Sequence, residues 1–475
     1  MAINFIGRTT FRNEFKKFGI KTEDRRHHIY LVGKTGTGKS TLLKNMAIQD
    51  LRAGQGLALI DPHGDLVEDL LSYIPKQRVN QVVYFNPADT DNPIGLNILE
   101  VKNEEEKQLV ASSLISVFKH LWKEFWGPRL EYVLYNSVLA LMDTPGSTLL
   151  GVYRILIDKR FRERIVKQIK DPVVKLFWTE DFAKYSPKFK KEVISPIQNK
   201  IGQLLTSSPL RNIVGQPAST VNLKFIIDNQ RILLVNLAKG RIGEDKANLL
   251  GSIVITKLYL AALERQNLPI SQRKDFYVYV DEFQNFSTDV FPSILSEARK
   301  YRLNLVLAHQ YLYQLSESVK QSVFGNVGTI IVFRTGSIDA KELAEEFKPV
   351  FNSEDIENLE NYHIYLKLLI DGKMSQPFSA ITLPPFEEEG NEAEKEVVIR
   401  VARERFTKKR KVVEERIKKW FGEKEVVPSV IEPKEPAQAI STSLAFAEQK
   451  RVPKLVGDFL GRQFRKVKWI SRLFS

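Results

Sequence analysis

Seven short stretches of the chain are apolar at nearly every position: 28–32, 57–61, 82–85, 231–237, 276–280, 303–308 and 329–333. Runs of this length, rich in β-branched and aromatic residues and without alternation, are what strands covered on both faces require. After the first run, Thr41-Leu42-Leu43-Lys44-Asn45-Met46-Ala47 reads as a helix, and after the second another helix is predicted from Leu66 to Tyr73. Strand alternating with helix predicts an α/β fold with a parallel sheet covered on both sides. From 104 to about 214 the pattern changes, and apolar residues recur at helical spacing, as in Leu109, Leu114, Val117, Phe118 and Leu121. Pro128, Pro145, Pro172, Pro187 and Pro196 are expected to divide this block into several helices. The apolar segment 249–260 is interrupted by Lys257 and predicts a buried helix rather than a membrane span.

Two of the buried strands end in chemistry. The first runs into Gly33-Lys34-Thr35-Gly36-Thr37-Gly38-Lys39-Ser40, which satisfies G-x-x-x-x-G-K-[ST] between a strand and a helix. Glycines there let backbone N–H groups approach phosphate oxygens, and the helix N-terminus adds partial positive charge. Lys39 would reach the β- and γ-phosphates of ATP, Ser40 would ligate Mg²⁺, and Thr41 completes the binding segment. The strand 276–280 ends in Asp281-Glu282, a Walker B pattern. Asp281 would hold Mg²⁺ through its water shell, while Glu282 would face the water that attacks the γ-phosphate. Because these two strands must share one sheet, the helical block reads as an insertion. The expected organisation is a nucleotide-binding domain over 1–102 and 229–385, an all-helical domain over 103–228, and a charged C-terminal part over 386–475.

That last part is predicted as a charged helical stretch (387–424), a linker (428–443) and an amphipathic helix (453–474). Val456, Phe459, Leu460, Phe464, Val467, Ile470 and Phe474 fall on one face of the helix, and Arg462, Arg465, Lys466, Lys468 and Arg472 on the other. It suits docking on the body, an anionic membrane surface or nucleic acid. Among 475 residues there is no cysteine, which excludes disulfides, thiolate metal sites and a cysteine nucleophile. Six scattered histidines give no zinc spacing. The net charge of +14 favours a polyanionic partner. Lys184, Lys188, Lys190 and Lys191, beside Phe182, Tyr185 and Phe189, form a candidate DNA contact, or else a solvated face over core aromatics.

Taken in order, five features resemble the TraG/TraD-like type IV secretion coupling ATPases within the HerA/FtsK superfamily. They are the P-loop, Asp61-Pro62-His63-Gly64-Asp65, Val280-Asp281-Glu282-Phe283-Gln284, Ser296-Glu297-Ala298-Arg299-Lys300 and Ala308-His309-Gln310. The resemblance covers residues 21–385. It implies a RecA-like P-loop NTPase core with an inserted all-α domain, working as a homo-hexameric ring that hydrolyses ATP to move DNA, in conjugation-type transfer. It implies that Gln310 senses the γ-phosphate and that Arg299 is an arginine finger offered to the neighbouring subunit, with Arg334 as the competing finger or sensor. His63 suits a role in its turn as well as a nucleotide contact. Coupling proteins of this group normally carry N-terminal membrane helices, and nothing before Gly33 is long and apolar enough to span. A cytoplasmic protein is therefore expected, with any contact to membrane or secretion machinery made through the C-terminal helix. A HerA-like repair pump and a slow nucleotide-switched scaffold are the rival readings.

Overall fold

A computed structural model describes residues 3–10, 15–386 and 390–422. The predicted linker and amphipathic helix lie outside the described residues. The strands are β1 (Ile3–Thr9), β2 (Lys17–Lys21), β3 (Ile29–Val32), β4 (Gly56–Asp61), β5 (Val82–Phe85), β6 (Ile232–Asn236), β7 (Phe276–Val280), β8 (Leu303–His309), β9 (Thr329–Val332), β10 (His363–Lys367), β11 (Leu369–Ile370), β12 (Lys373–Met374) and β13 (Phe378–Thr382). The helices before and within the insertion are α1 (Thr22–Arg25), α2 (Lys39–Arg52), α3 (Asp65–Leu71), α4 (Glu104–Leu121), α5 (Pro128–Met142), α6 (Leu149–Ile157), α7 (Lys159–Val166), α8 (Pro172–Leu176), α9 (Phe182–Lys184), α10 (Pro187–Thr206), α11 (Ser208–Val214) and α12 (Leu223–Asp228). After it come α13 (Lys239–Ile242), α14 (Glu244–Leu263), α15 (Phe291–Glu297), α16 (Glu317–Asn326), α17 (Ser337–Phe347), α18 (Ser353–Glu357), α19 (Glu392–Phe406) and α20 (Arg410–Phe421).

One eleven-stranded sheet runs β2-β1-β13-β10-β9-β3-β8-β7-β4-β6-β5. From β9 to β5 every pairing is parallel. Those seven strands are the seven apolar runs of the sequence. Their side chains divide by alternation: Tyr30, Val32, Ala58, Ile60, Val278 and Val280 join one apolar cluster, and Ile29, Leu31, Leu57, Leu59, Tyr277 and Tyr279 the other. The second cluster is closed by α2, α3 and α19. The first continues without a break into α4–α12, so the helical block shares its core with one face of the sheet.

Four points depart from the sequence reading. β10, β13, β1 and β2 extend the sheet by antiparallel pairing, so the sheet is not parallel throughout. Pro196 lies inside α10 instead of ending a helix. Val193, Ile194, Ile197 and Ile201 around it are buried, and that packing carries the helix through the missing backbone bond. Leu109 is exposed, not part of the buried stripe. The charged stretch after 386 is no detached tail as far as it is described: Val398 and Ala402 of α19, and Val413 and Ile417 of α20, are buried in the body's clusters. Among the described residues one helix, 244–267, is long and apolar enough to cross a membrane, but 72% of its apolar window is buried within the protein.

Candidate nucleotide site

β3 delivers the loop 33–38 to the carboxyl end of the sheet. There Gly33 N–H donates to the His309 carbonyl at 3.2 Å and Lys34 N–H to the Arg334 carbonyl at 2.8 Å, tying the loop's base to both neighbouring strand ends. Gly38 has φ 117° at the N-cap of α2, and a Cβ there would lie 2.8 Å from the Tyr362 ring, so no other residue fits. The Lys39 ammonium, buried, donates to the carbonyls of Gly33 at 2.5 Å and Lys34 at 2.9 Å. Burial lowers its pKa, with Glu282 and Asp281 acting in the opposite direction. A lysine folded onto its own loop in this way is poised to exchange those carbonyls for phosphate oxygens.

Opposite the loop, β7 ends in Asp281 and Glu282. Burial pushes the Asp281 carboxyl up to about 7, reinforced by the charges of Glu282 and Asp61 and opposed by Lys39. Asp61 closes its own turn, accepting from the N–H groups of His63 at 2.8 Å, Leu66 at 2.9 Å and Val67 at 3.2 Å. Burial raises its pKa too. Glu282 adopts the left-handed conformation, φ 48° and ψ 48°, uncommon for a residue with a Cβ and characteristic of constrained sites. Each oxygen of its carboxylate receives an amide: Gln284 Nε2 on Oε2 at 2.7 Å and Gln310 Nε2 on Oε1. Behind them His309 Nδ1 is 2.8 Å from the Tyr30 hydroxyl, and burial, with Lys39 adding to it, pushes that imidazole down to about 3.

The loop and these carboxylates face one another across a cleft of about 370 Å³ that Thr35, Ser40, Thr41, Asp61, His63, Asp281, Glu282 and Gln310 line. Its donors are hard oxygens: the Ser40 hydroxyl and a crowded set of buried carboxylates whose mutual repulsion already raises Asp281. That chemistry suits Mg²⁺, and Ser40 and Asp281 are the residues that would hold it. Among the described residues no group of three or more His, Asp or Glu is arranged to hold an ion by itself.

The two arginines separate. Arg334 stands beside the P-loop end of the sheet, its guanidinium bound to the Leu359 carbonyl at 3.3 Å and Asn361 Oδ1 at 2.9 Å. Arg299 lies 3.0 Å from His27 Nδ1, before β3 begins and thus at the far end of that strand from the loop. It does not reach the cleft of its own chain. In the helical block Lys184, Lys188 and Lys191 are exposed, but Phe182 is buried, with Arg162 and Lys190 over its ring. Tyr185 and Phe189 pack against the core, ring on ring at 4.7 Å. The stacking faces expected from the sequence are therefore largely spent on packing. Asp61, Gln284, His309 and Tyr362 are site residues that the sequence reading did not assign. Three of them stand inside the quoted motifs, whereas Tyr362 gives no signal.

Several solved structures share this architecture. The plasmid coupling protein TrwB in complex with the non-hydrolysable ATP analogue ADPNP matches with 16% identity and a TM-score of 0.60, covering 82% of this chain and 96% of that one. TrwB with ADP and Mg²⁺ matches with 17% identity and a TM-score of 0.59, over 78% and 88%. VirB4 of Thermoanaerobacter pseudethanolicus matches with 14% identity and a TM-score of 0.56, over 81% and 97%. These likenesses establish a RecA-like P-loop NTPase fold. The type 4 coupling protein DotL of Legionella pneumophila subsp. pneumophila strain Philadelphia 1 is 23% identical over 382 residues, 66% of this chain. The chain spans about half, 48%, of that curated relative. With residues 13–367 matching the model for the type IV secretion-system coupling protein DNA-binding domain, the chain belongs to that family.

Proposed function

We propose that this protein is an Mg²⁺-dependent ATPase that moves DNA in conjugation-type, type IV secretion transfer, acting as a homo-hexameric ring. The observation that carries the reading is the buried Lys39 ammonium held within electrostatic reach of the buried Asp281–Glu282 pair. In this scheme the N-terminus of α2 and the loop N–H groups hold the phosphates, and Lys39 leaves its carbonyls to neutralise them. Bound Mg²⁺ supplies charge neutralisation for the phosphate oxygens. Glu282, immobilised at both oxygens, orients the attacking water and takes its proton. Gln310 reports the γ-phosphate, and Arg334 is the arginine within reach of the same chain's nucleotide. Arg299, turned away from its own cleft, is the arginine left to serve a neighbouring copy. A net charge of +14 and membership of a family described by DNA binding support a DNA cargo.

The test is ATP hydrolysis with and without duplex DNA, read beside particle mass with and without ATP. Turnover should rise with DNA, and mass should rise on assembly. A rate indifferent to DNA overturns the motor reading and leaves a nucleotide-switched scaffold.

A further inference from the structure

The segment following the Walker B glutamate is gripped from outside the sheet as well as from within it. Residues 283–286 form one tight turn in which Phe283 and Phe286 are buried. Phe286 packs so closely on α14 that a Cβ on Gly251 would lie 2.2 Å from its ring. On its other side the segment meets the last turn of α4. There Lys119 pairs with Asp289 at 3.0 Å. Since α4 opens the helical insertion, the insertion touches the chain seven residues from Glu282.

Between Glu282 and Asn285 stands Gln284. Its Nε2 donates to Glu282 Oε2 at 2.7 Å, while its own Oε1 is buried without a partner. Leaving a buried carbonyl unpaired is costly, so the side chain is placed for what its N–H does. The two amides on the carboxylate differ in setting. Gln310 lines the cleft and faces arriving phosphate, whereas Gln284 does not line it.

We propose that Gln284 is a positioning residue dedicated to Glu282. The inference rests on the reading of Glu282 as the residue that activates water. A carboxylate displaced by about 1 Å from its working position costs on the order of 10² in rate, so a small displacement of Glu282 is enough to slow turnover. Nucleotide affinity is untouched by such a movement, because the phosphates are held by the loop and by α2.

The experiment compares Gln284→Ala, Gln284→Met and Glu282→Gln in the full chain, measuring kcat, KM and affinity for a non-hydrolysable ATP analogue. Both Gln284 variants should lower kcat by roughly 10- to 100-fold with KM and analogue affinity unchanged. Gln284→Met keeps the volume, so its loss reports the missing donor. Normal turnover in the Gln284 variants beside a dead Glu282→Gln overturns this proposal alone. Normal turnover in Glu282→Gln removes the reading beneath it. Loss of analogue affinity along with turnover makes Gln284 structural and overturns the proposal.

Discussion

In the nucleotide cleft Lys39, Asp61, Asp281 and Glu282 are each 7% exposed or less, whereas in the helical insertion Lys184, Lys188 and Lys191 stand in solvent above an aromatic, Phe182, that is 2% exposed. Taking an ion out of water costs several kcal/mol unless it is paired. Three buried carboxylates nevertheless stand there against one buried ammonium, and the strain appears as an Asp281 pKa of about 7. Such an arrangement is retained where a ligand completes it. The insertion follows the ordinary rule, with apolar groups inside and charges hydrated. Charge in the first region has a fixed geometry and an assigned chemistry. In the second it has only a sign.

The contrast breaks most visibly if substitutions in the cleft are tolerated. Glu282→Gln is expected to lose about 10² to 10⁴ in turnover while still binding ATP, and Lys39→Ala to lose nucleotide binding itself; titration with a fluorescent ATP analogue beside a phosphate-release assay separates the two. Next in size is the buried pair beneath the P-loop helix, where Arg25 meets Asp50 at 2.7 Å with both side chains 3% exposed. Asp50 also accepts from the Tyr279 hydroxyl at 2.5 Å and from Asn4 Nδ2 at 3.0 Å. Asp50→Ala should cost about 3–5 kcal/mol of unfolding free energy, since it strands a buried guanidinium. A denaturant midpoint close to wild type would place the pair among exposed ones.

A smaller effect follows from His28, which lies buried before β3, with its Nε2 3.1 Å from the Leu295 carbonyl and its Nδ1 accepting from Leu305 N–H at 3.1 Å. Burial pushes its pKa down to about 4, and the neighbouring His27 and Arg299 act in the same direction. Between pH 6.5 and 4 the unfolded chain therefore binds the proton that the folded chain refuses. Stability is fully present above pH 6.5 and falls by at most about 1.4 kcal/mol per pH unit as the solution is acidified through this window. His28→Gln should flatten that part of the profile; an unchanged slope assigns the acid sensitivity elsewhere. The smallest structural effect is expected in the insertion. Reversing Lys184, Lys188 and Lys191 to glutamate should leave Tm within a degree or two of wild type, as for surface changes generally. DNA binding should weaken, and its salt slope should fall by about 0.9 for every phosphate that is no longer neutralised. An unaltered slope makes these lysines a solvated face only.

Seven strands were legible in the sequence because each is covered on both faces and is therefore apolar throughout. β1, β2, β10 and β13 were not. Their burial is interrupted or alternates, as in His363–Lys367, where only Ile364 and Leu366 are buried, and stretches such as KFGIK and FSAIT do not rise above loop composition. The P-loop and Asp281-Glu282 were readable for a different reason: each is a contiguous motif whose chemistry depends on local spacing. Chain order also sufficed to show that the stretch between β5 and β6 would be helical, because the 3.6-residue periodicity persists across it.

What only the tertiary structure decided are relations between residues remote in sequence. Asp61 and Asp281 repel one another because β4 and β7 are adjacent, and no spacing along the chain encodes that distance. Gln310 reaches the Glu282 carboxylate because β7 and β8 are neighbours that end together. Arg299 and Arg334 looked interchangeable as arginines near core strands, yet the one stands before β3 begins and the other beside the loop that follows it. Local periodicity reports which face of an element is buried. Electrostatics and hydrogen bonding fall off with distance through space, so they are set only once the sheet order is complete.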